Sequence, residues 1–228
     1  MRVWTLAALA ASCCGCSLGL LQTGKTVPAG NVAVTGGGAF IDNARFADVG
    51  RPNYSTAPAE SLYPVGGVRV GVHDRVDVAV TGALAPGADG EVKVALLPQE
   101  ERAAVAVRAG GGYGVSDSFR VAQGHVGVVG SYDVAAAFVP YAGATLANHW
   151  ISSKDAIPDL APNERRASHR ASGDGLMQLA LGVAVGKGRV QALLEYDRWE
   201  PVWRDPGSGY HFVGTNVFLA GVRVCSCL

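Results

Sequence analysis

The feature that most narrows the folds open to this chain is a strict alternation of apolar with small or polar residues, sustained over most of its length and broken by turns. Val68, Val70 and Val72 interleave with Arg69, Gly71 and His73; beyond the His73-Asp74 turn, Val76, Val78 and Val80 interleave with Arg75, Asp77, Ala79 and Thr81. Successive side chains of a strand point to opposite faces, so this stretch encodes a β-hairpin. The pattern recurs. Val92, Val94 and Leu96 oppose Glu91, Lys93 and Ala95, Val105 and Val107 oppose Ala106 and Arg108, and Met177, Leu179, Leu181, Val183 and Val185 oppose Gln178, Ala180, Gly182 and Ala184. The spacing predicts about ten strands (roughly eight to twelve), near 30–41, 63–73, 75–84, 90–98, 103–113, 119–130, 135–148, 175–186, 189–198 and 211–224. Adjacent Val128 and Val129 break the phase and predict a bulge in the 119–130 strand. A short helical turn near Asn163 to Arg170 is the one departure from extended structure.

Composition decides what such strands enclose. Hydrophobic residues make up 49% of the 228 and charged residues 17%, against roughly 25% charged in a common soluble domain. The apolar content excludes a disordered chain. Nineteen basic and 19 acidic side chains cancel, which provides no field for gathering nucleic acid. Beyond the first thirty residues no run approaches the ~18 uninterrupted apolar residues that a membrane helix needs. Alternation alone would also suit a lipocalin-like soluble barrel with an apolar interior. The polar face, however, is built of Gly and Ala with isolated Arg, Gln and Glu, instead of the dense Lys/Glu cover of a solvated surface. The expected fold is therefore all-β: an antiparallel up-and-down transmembrane β-barrel with its small and charged face around a narrow lumen.

Connection lengths orient that barrel. The stretches 42–62, 149–174 and 199–210 are long, while His73-Asp74, 98–102, 131–134 and 186–188 are short. Outer-membrane barrels have short periplasmic turns and long external loops, which predicts both termini on the periplasmic side. Phe40, Tyr63, Tyr113, Phe119, Trp150, Trp199, Tyr210 and Phe212 fall at the strand ends that join the long loops, where an interfacial aromatic girdle is expected.

The N-terminus reads as an address. Met1-Arg2 is a minimal positive region and Val3 to Ser12 an apolar core of about ten residues, suited to a secretory signal and too short to span. Behind it comes Cys13-Cys14-Gly15-Cys16-Ser17-Leu18, and a cysteine directly after such a core resembles the lipobox of bacterial lipoproteins. Gly15-Cys16-Ser17 favours Cys16 as the lipid-attachment residue. Cys13, Cys14 and Cys16 sit at one end and Cys225 and Cys227 at the other, with no histidine at ligand spacing, so a metal site is not expected.

From Cys16 through Gly19, Gly24, Lys25 and Pro28 to Gly30, the chain resembles the lipidated lead into a first strand in small bacterial outer-membrane β-barrel proteins with a lipoprotein-type signal peptide. The resemblance covers about fifteen residues; its closing Val224-Cys225-Ser226-Cys227-Leu228 departs from the usual terminal aromatic. It implies a signal peptide over 1–15, a periplasmic linker over 16–29 and an outer-membrane barrel over 30–228. The implied partners are outer-membrane lipid, lipopolysaccharide within reach of Arg165, Arg166 and Arg170, and the barrel-assembly machinery.

Strand parity places Arg69, Asp77, Glu91, Lys93, Arg108, Arg120, His125, Gln178, Gln191 and Glu195 in the lumen. Cations outnumber carboxylates in this set, which predicts a mildly basic interior of paired charges. His125, Glu195 and Ser131 hold the residue types of an acid–base–nucleophile set, but no elbow motif surrounds any serine, and a histidine in a polar lumen is more often a hydrogen-bonded filler. Gly36 to Gly38 and Gly110 to Gly112 lie inside strands with no following helix or lysine, so they are bends or close contacts and not phosphate loops. No cofactor is expected. A structural or surface-interaction barrel is the leading reading, a narrow channel for small solutes the alternative, and a barrel-embedded hydrolase the second alternative. If Cys16 carries the lipid, metabolic palmitate labelling will be lost in Cys16→Ala and kept in Cys13→Ala; the reverse result moves the anchor.

Overall fold

The computed structural model describes residues 21–42, 45–48, 61–83, 87–115, 119–153, 172–204 and 210–227. Ten antiparallel strands close into one barrel: β1 (Val32–Asp42), β3 (Ser61–His73), β4 (Val76–Ala83), β5 (Gly87–Ala95), β6 (Ala103–Val115), β7 (Phe119–Tyr132), β8 (Phe138–Ser153), β9 (Ser172–Val185), β10 (Val190–Trp203) and β12 (Thr215–Cys225). Each pairs with its neighbour in the chain, and β1 closes the ring by pairing with both β3 and β12. Two short strands stand apart, β2 (Arg45–Asp48) and β11 (Tyr210–Val213), which pair with each other from Tyr210 opposite Asp48 to Val213 opposite Arg45.

The strands follow the alternation, with differences at their ends. The single strand expected over 211–224 is divided at Gly214 into β11 and β12. The bulge expected at Val128 and Val129 is absent: β7 keeps continuous register with β6 and β8 through both residues. Val129 is buried within and Val128 exposed without, so two adjacent valines occupy the two faces of one regular strand. Register shifts fall instead at Gly71/His73 and Pro201/Trp203. The expected helical turn at 163–170 lies outside the described residues.

The two faces are partitioned in the reverse of a soluble protein. Lys93, Asp77 and Asp197 are 0% exposed inside the barrel, whereas Leu62, Leu181, Val72 and Leu194 stand 56–76% exposed on the outside. Inside, an apolar sector from β1, β3, β8, β9, β10 and β12 gathers Ala39, Val65, Tyr141, Leu176, Leu193, Trp199 and Leu219. Charged side chains of β3 to β6 fill the sector opposite, with Asp174, Glu195 and Asp197 added from β9 and β10. Cys225 and Cys227 are joined as a disulfide at the end of β12.

The segment expected as a periplasmic linker is inside the barrel from Leu21 to Val27. Leu21, Gln22, Thr23, Thr26 and Val27 are buried, and Leu21 joins the apolar sector. The chain turns from this segment into β1 at Gly30, whose φ of 74° suits glycine; Gly30 N–H donates to the Gly71 carbonyl at 2.9 Å.

Closure depends on a close approach at the β1–β12 seam. A Cβ on Gly37 would meet the Ala220 carbonyl and the Gly221 Cα, whereas one on Gly36 would meet nothing within 4 Å. Gly37→Val will destabilise the barrel by about 1–3 kcal/mol, the usual cost of overpacking. Gly36→Val will leave stability nearly unchanged. The midpoint of the heat-induced mobility shift on a semi-native gel reads both.

Candidate functional site

The charged sector is built outward from Glu91. Register sets Glu91 opposite Ala79 and Gly110, and Lys93 opposite Asp77 and Arg108, so small residues make room for long ones. Arg69 of β3 reaches Glu91 Oε1 at 2.6 Å and also contacts Asp77. Arg108 of β6 reaches Glu91 Oε2 at 2.7 Å. Arg108 continues to Thr145 Oγ1 at 2.7 Å and Gln178 Oε1 at 3.3 Å, linking the network to β8 and β9. One carboxylate thus accepts from two guanidinium groups, an arrangement in which charge-assisted bonds offset the cost of taking three charges out of water. The His125 ring lies between Asp89, at 3.6 Å, and Glu91, at 3.4 Å, and Gln123 Nε2 donates to Asp89 at 2.5 Å.

Residues 21–27 complete this sector. Leu21 N–H donates to Glu195 at 2.7 Å and Val27 N–H to Asp77 at 2.9 Å. Gln22 Nε2 donates to Glu91 at 3.0 Å. Lys93 Nζ donates to the Thr23 and Lys25 carbonyls at 3.2 and 2.7 Å, and lies 3.6 Å from Asp77. Near the short-turn rim, Gly24 N–H donates to Ser131 Oγ, Thr26 N–H to Gln99, and Lys25 pairs with Asp133 at 2.6 Å.

Of the residues placed in the lumen by parity, Asp77, Glu91, Lys93, Arg108, Gln178 and Glu195 are buried within, and the Arg69 and His125 side chains lie in the same network. Gln191 is half-buried and accepts from Arg223 at 2.5 Å. The Arg120 side chain lies outside the described residues. The expected basic excess is corrected. Asp77, Asp89, Glu91, Asp174, Glu195 and Asp197 are all buried, against the buried cations Lys93 and Arg108 with Arg69 and Arg223 partly so. Strand limits drawn at 90, 148 and 175 left Asp89, His149 and Asp174 just outside; extending each alternation by one or two residues finds them. Asp197 shares the parity of Glu195 and was legible by the same rule.

Aromatics divide between the faces. Phe40, Tyr113 and Trp150 are exposed on the outside. Tyr63 and Trp199 are corrections to the expected girdle: Tyr63 packs against the inner apolar sector, and Trp199 is buried in it, edge-on to His149 at 6.0 Å. Their odd positions share the inward phase of Val65 and Glu195, which proximity to a loop could not override. The side chains of Phe119, Tyr210 and Phe212, and Cys16, lie outside the described residues. Tyr132 and Phe138 add exposed aromatics at the short-turn end.

The residue types considered for catalysis are engaged separately. Ser131 accepts from Gly24, Glu195 from Leu21, and His125 lies against Asp89 and Glu91. Among the described residues, no three His, Cys, Asp or Glu side chains are grouped as metal ligands.

No protein-family model matches this chain, and no curated protein matches it. Solved structures to which it is similar are bacterial outer-membrane barrels. Neisserial surface protein A is 14% identical with a TM-score of 0.42, over 86% of this chain and 98% of that one. The outer membrane protease OmpT from Escherichia coli is 9% identical with a TM-score of 0.48, over 90% of this chain and 100% of that one. An outer membrane channel from Pseudomonas putida F1 is 10% identical with a TM-score of 0.49, over 88% and 96%. The barrel assignment itself stands on the closed strand register.

Removing Glu91 strands Arg108 and takes one of two carboxylate partners from Arg69. Glu91→Ala will cost about 3–5 kcal/mol, as expected when a buried charge loses its partner. The partly exposed Arg198–Glu200 pair provides the contrast: Glu200→Ala will change stability by less than about 1 kcal/mol. Denaturant unfolding in detergent, followed by tryptophan emission, distinguishes the two.

Proposed function

We propose that this chain is an outer-membrane β-barrel with a structural or surface-interaction role. The observation that carries the reading is the inverted partition of its faces, with charge buried inside and valine, leucine and phenylalanine exposed outside. Such a surface is costly in water and suited to hydrocarbon, where a closed ladder also leaves no strand edge unpaired. Short turns at 74–75, 133–137 and 186–189 support a periplasmic location for that end. Both β1 and β12 meet the termini there, and a lipid on Cys16 belongs to the same reading. Outer-membrane lipid, lipopolysaccharide and the assembly machinery are the corresponding partners.

A narrow channel for small solutes is the second reading, favoured by the polar wall. Against it stands the filling of the same lumen by residues 21–27 and by side chains bridging β3 to β9. No catalytic role is assigned, since Ser131 and Glu195 bond different N–H groups and His125 faces Asp89 and Glu91 instead. Reconstituted protein will float with liposomes and leave a planar bilayer electrically silent. Sedimentation apart from lipid overturns the membrane placement, and steady single-channel steps overturn the closed lumen.

A further inference from the structure

The contacts that hold residues 21–27 are made mostly through their backbone. Four N–H groups, of Leu21, Gly24, Thr26 and Val27, donate to wall side chains Glu195, Ser131, Gln99 and Asp77 at 2.7–3.1 Å. Two carbonyls, of Thr23 and Lys25, accept from Lys93. These wall groups come from β4, β5, β7, β10 and a turn, so the site is assembled by barrel closure. Side-chain recognition is thinner: Leu21 packs in the apolar sector, Thr26 Oγ1 donates to the Asp74 carbonyl at 3.0 Å, and Gln22 donates to Glu91, yet its Oε1 is buried without a hydrogen-bond partner among the described residues. Lys25 pairs only at the rim, where both partners are about one-third exposed.

Shape supplies the selectivity that side chains do not. A Cβ on Gly24 would lie 2.6 Å from the Ala104 carbonyl oxygen, so only glycine fits at that point. A Cβ on wall residue Gly71 would strike the Val27 and Pro28 carbonyls, so the wall is notched where the segment passes. Lys93 depends on the occupant as well, because two of its three oxygen partners are segment carbonyls. A buried ammonium group deprived of them is penalised.

We propose that the short-turn half of the lumen is a binding site for a peptide that bends at a glycine in its fourth position. Residues 21–27 fill it in cis, and another peptide of the same kind takes their place once they are displaced. Recognition through main-chain groups is sequence-tolerant by nature, as in strand-addition complexes, and here glycine spacing and the absence of bulk set the limits.

The test uses the whole protein in detergent micelles, so it does not depend on the membrane placement. Gly24→Leu displaces the protein's own segment while leaving every wall residue in place. A fluorescent peptide of residues 21–29 will then bind the variant saturably, at least tenfold more tightly than it binds the wild type. The same peptide with leucine at its fourth position will not bind. Equal binding to wild type and variant overturns the proposal. So does failure to bind a variant that still migrates as a compact barrel. Should Gly24→Leu not fold, Val27→Pro removes the N–H that reaches Asp77 and carries the same comparison.

Discussion

Burial of Glu91 between Arg69 and Arg108 is the interaction on which the interior depends. Each of these charges taken singly would cost several kcal/mol to desolvate, and only their mutual attraction and the added hydrogen bonds offset that cost. The network spans β3, β5 and β6 directly, and Thr145 and Gln178 extend it to β8 and β9. It therefore ties half the barrel wall across the lumen, from strands remote in sequence. Apolar packing of Tyr141, Leu193, Trp199 and Leu219 ties β8, β10 and β12 together in the same way.

Buried carboxylates also give the polypeptide itself partners in this space. Among the described residues six carboxylates are buried, and a buried carboxylate is stabilised by N–H donors as well as by cations. Leu21 and Val27 bring such donors to Glu195 and Asp77, Gln22 brings one to Glu91, and Lys93 is engaged by carbonyls in return. The segment acts both as filler and as a counter-group. A solvent-filled pore of the same wall would have no need of it, which makes the filled lumen and the charge pattern two consequences of one arrangement.

Much of the fold was legible because its rule is local. Period-two alternation identifies strands, and the hairpin at 73–76 and the turn at 186–189 punctuate them wherever loops are short. Inward placement of Asp77, Glu91, Lys93, Arg108, Gln178 and Glu195 followed from parity alone. The same rule failed wherever another consideration displaced it: Tyr63 and Trp199 were assigned outward by proximity to loops although their phase points in. The neighbouring Val128 and Val129 suggested a bulge that a regular strand with valine on both faces does not need.

By itself, the sequence determined that the chain forms about ten alternating strands and which residues share a face, because side-chain direction depends only on position along a strand. Tertiary structure decided three other things. It set which carboxylate meets which guanidinium, since the stagger between strands is fixed only when β1 pairs with both β3 and β12. It decided that β2 and β11, more than 160 positions apart, meet as a ladder. And it decided that residues 21–27 lie in the lumen. Nothing in Leu21-Gln22-Thr23-Gly24-Lys25-Thr26-Val27 has the period of a strand or a helix, and its place is set by partners, Glu195, Asp77 and Lys93, that converge only when the barrel is closed.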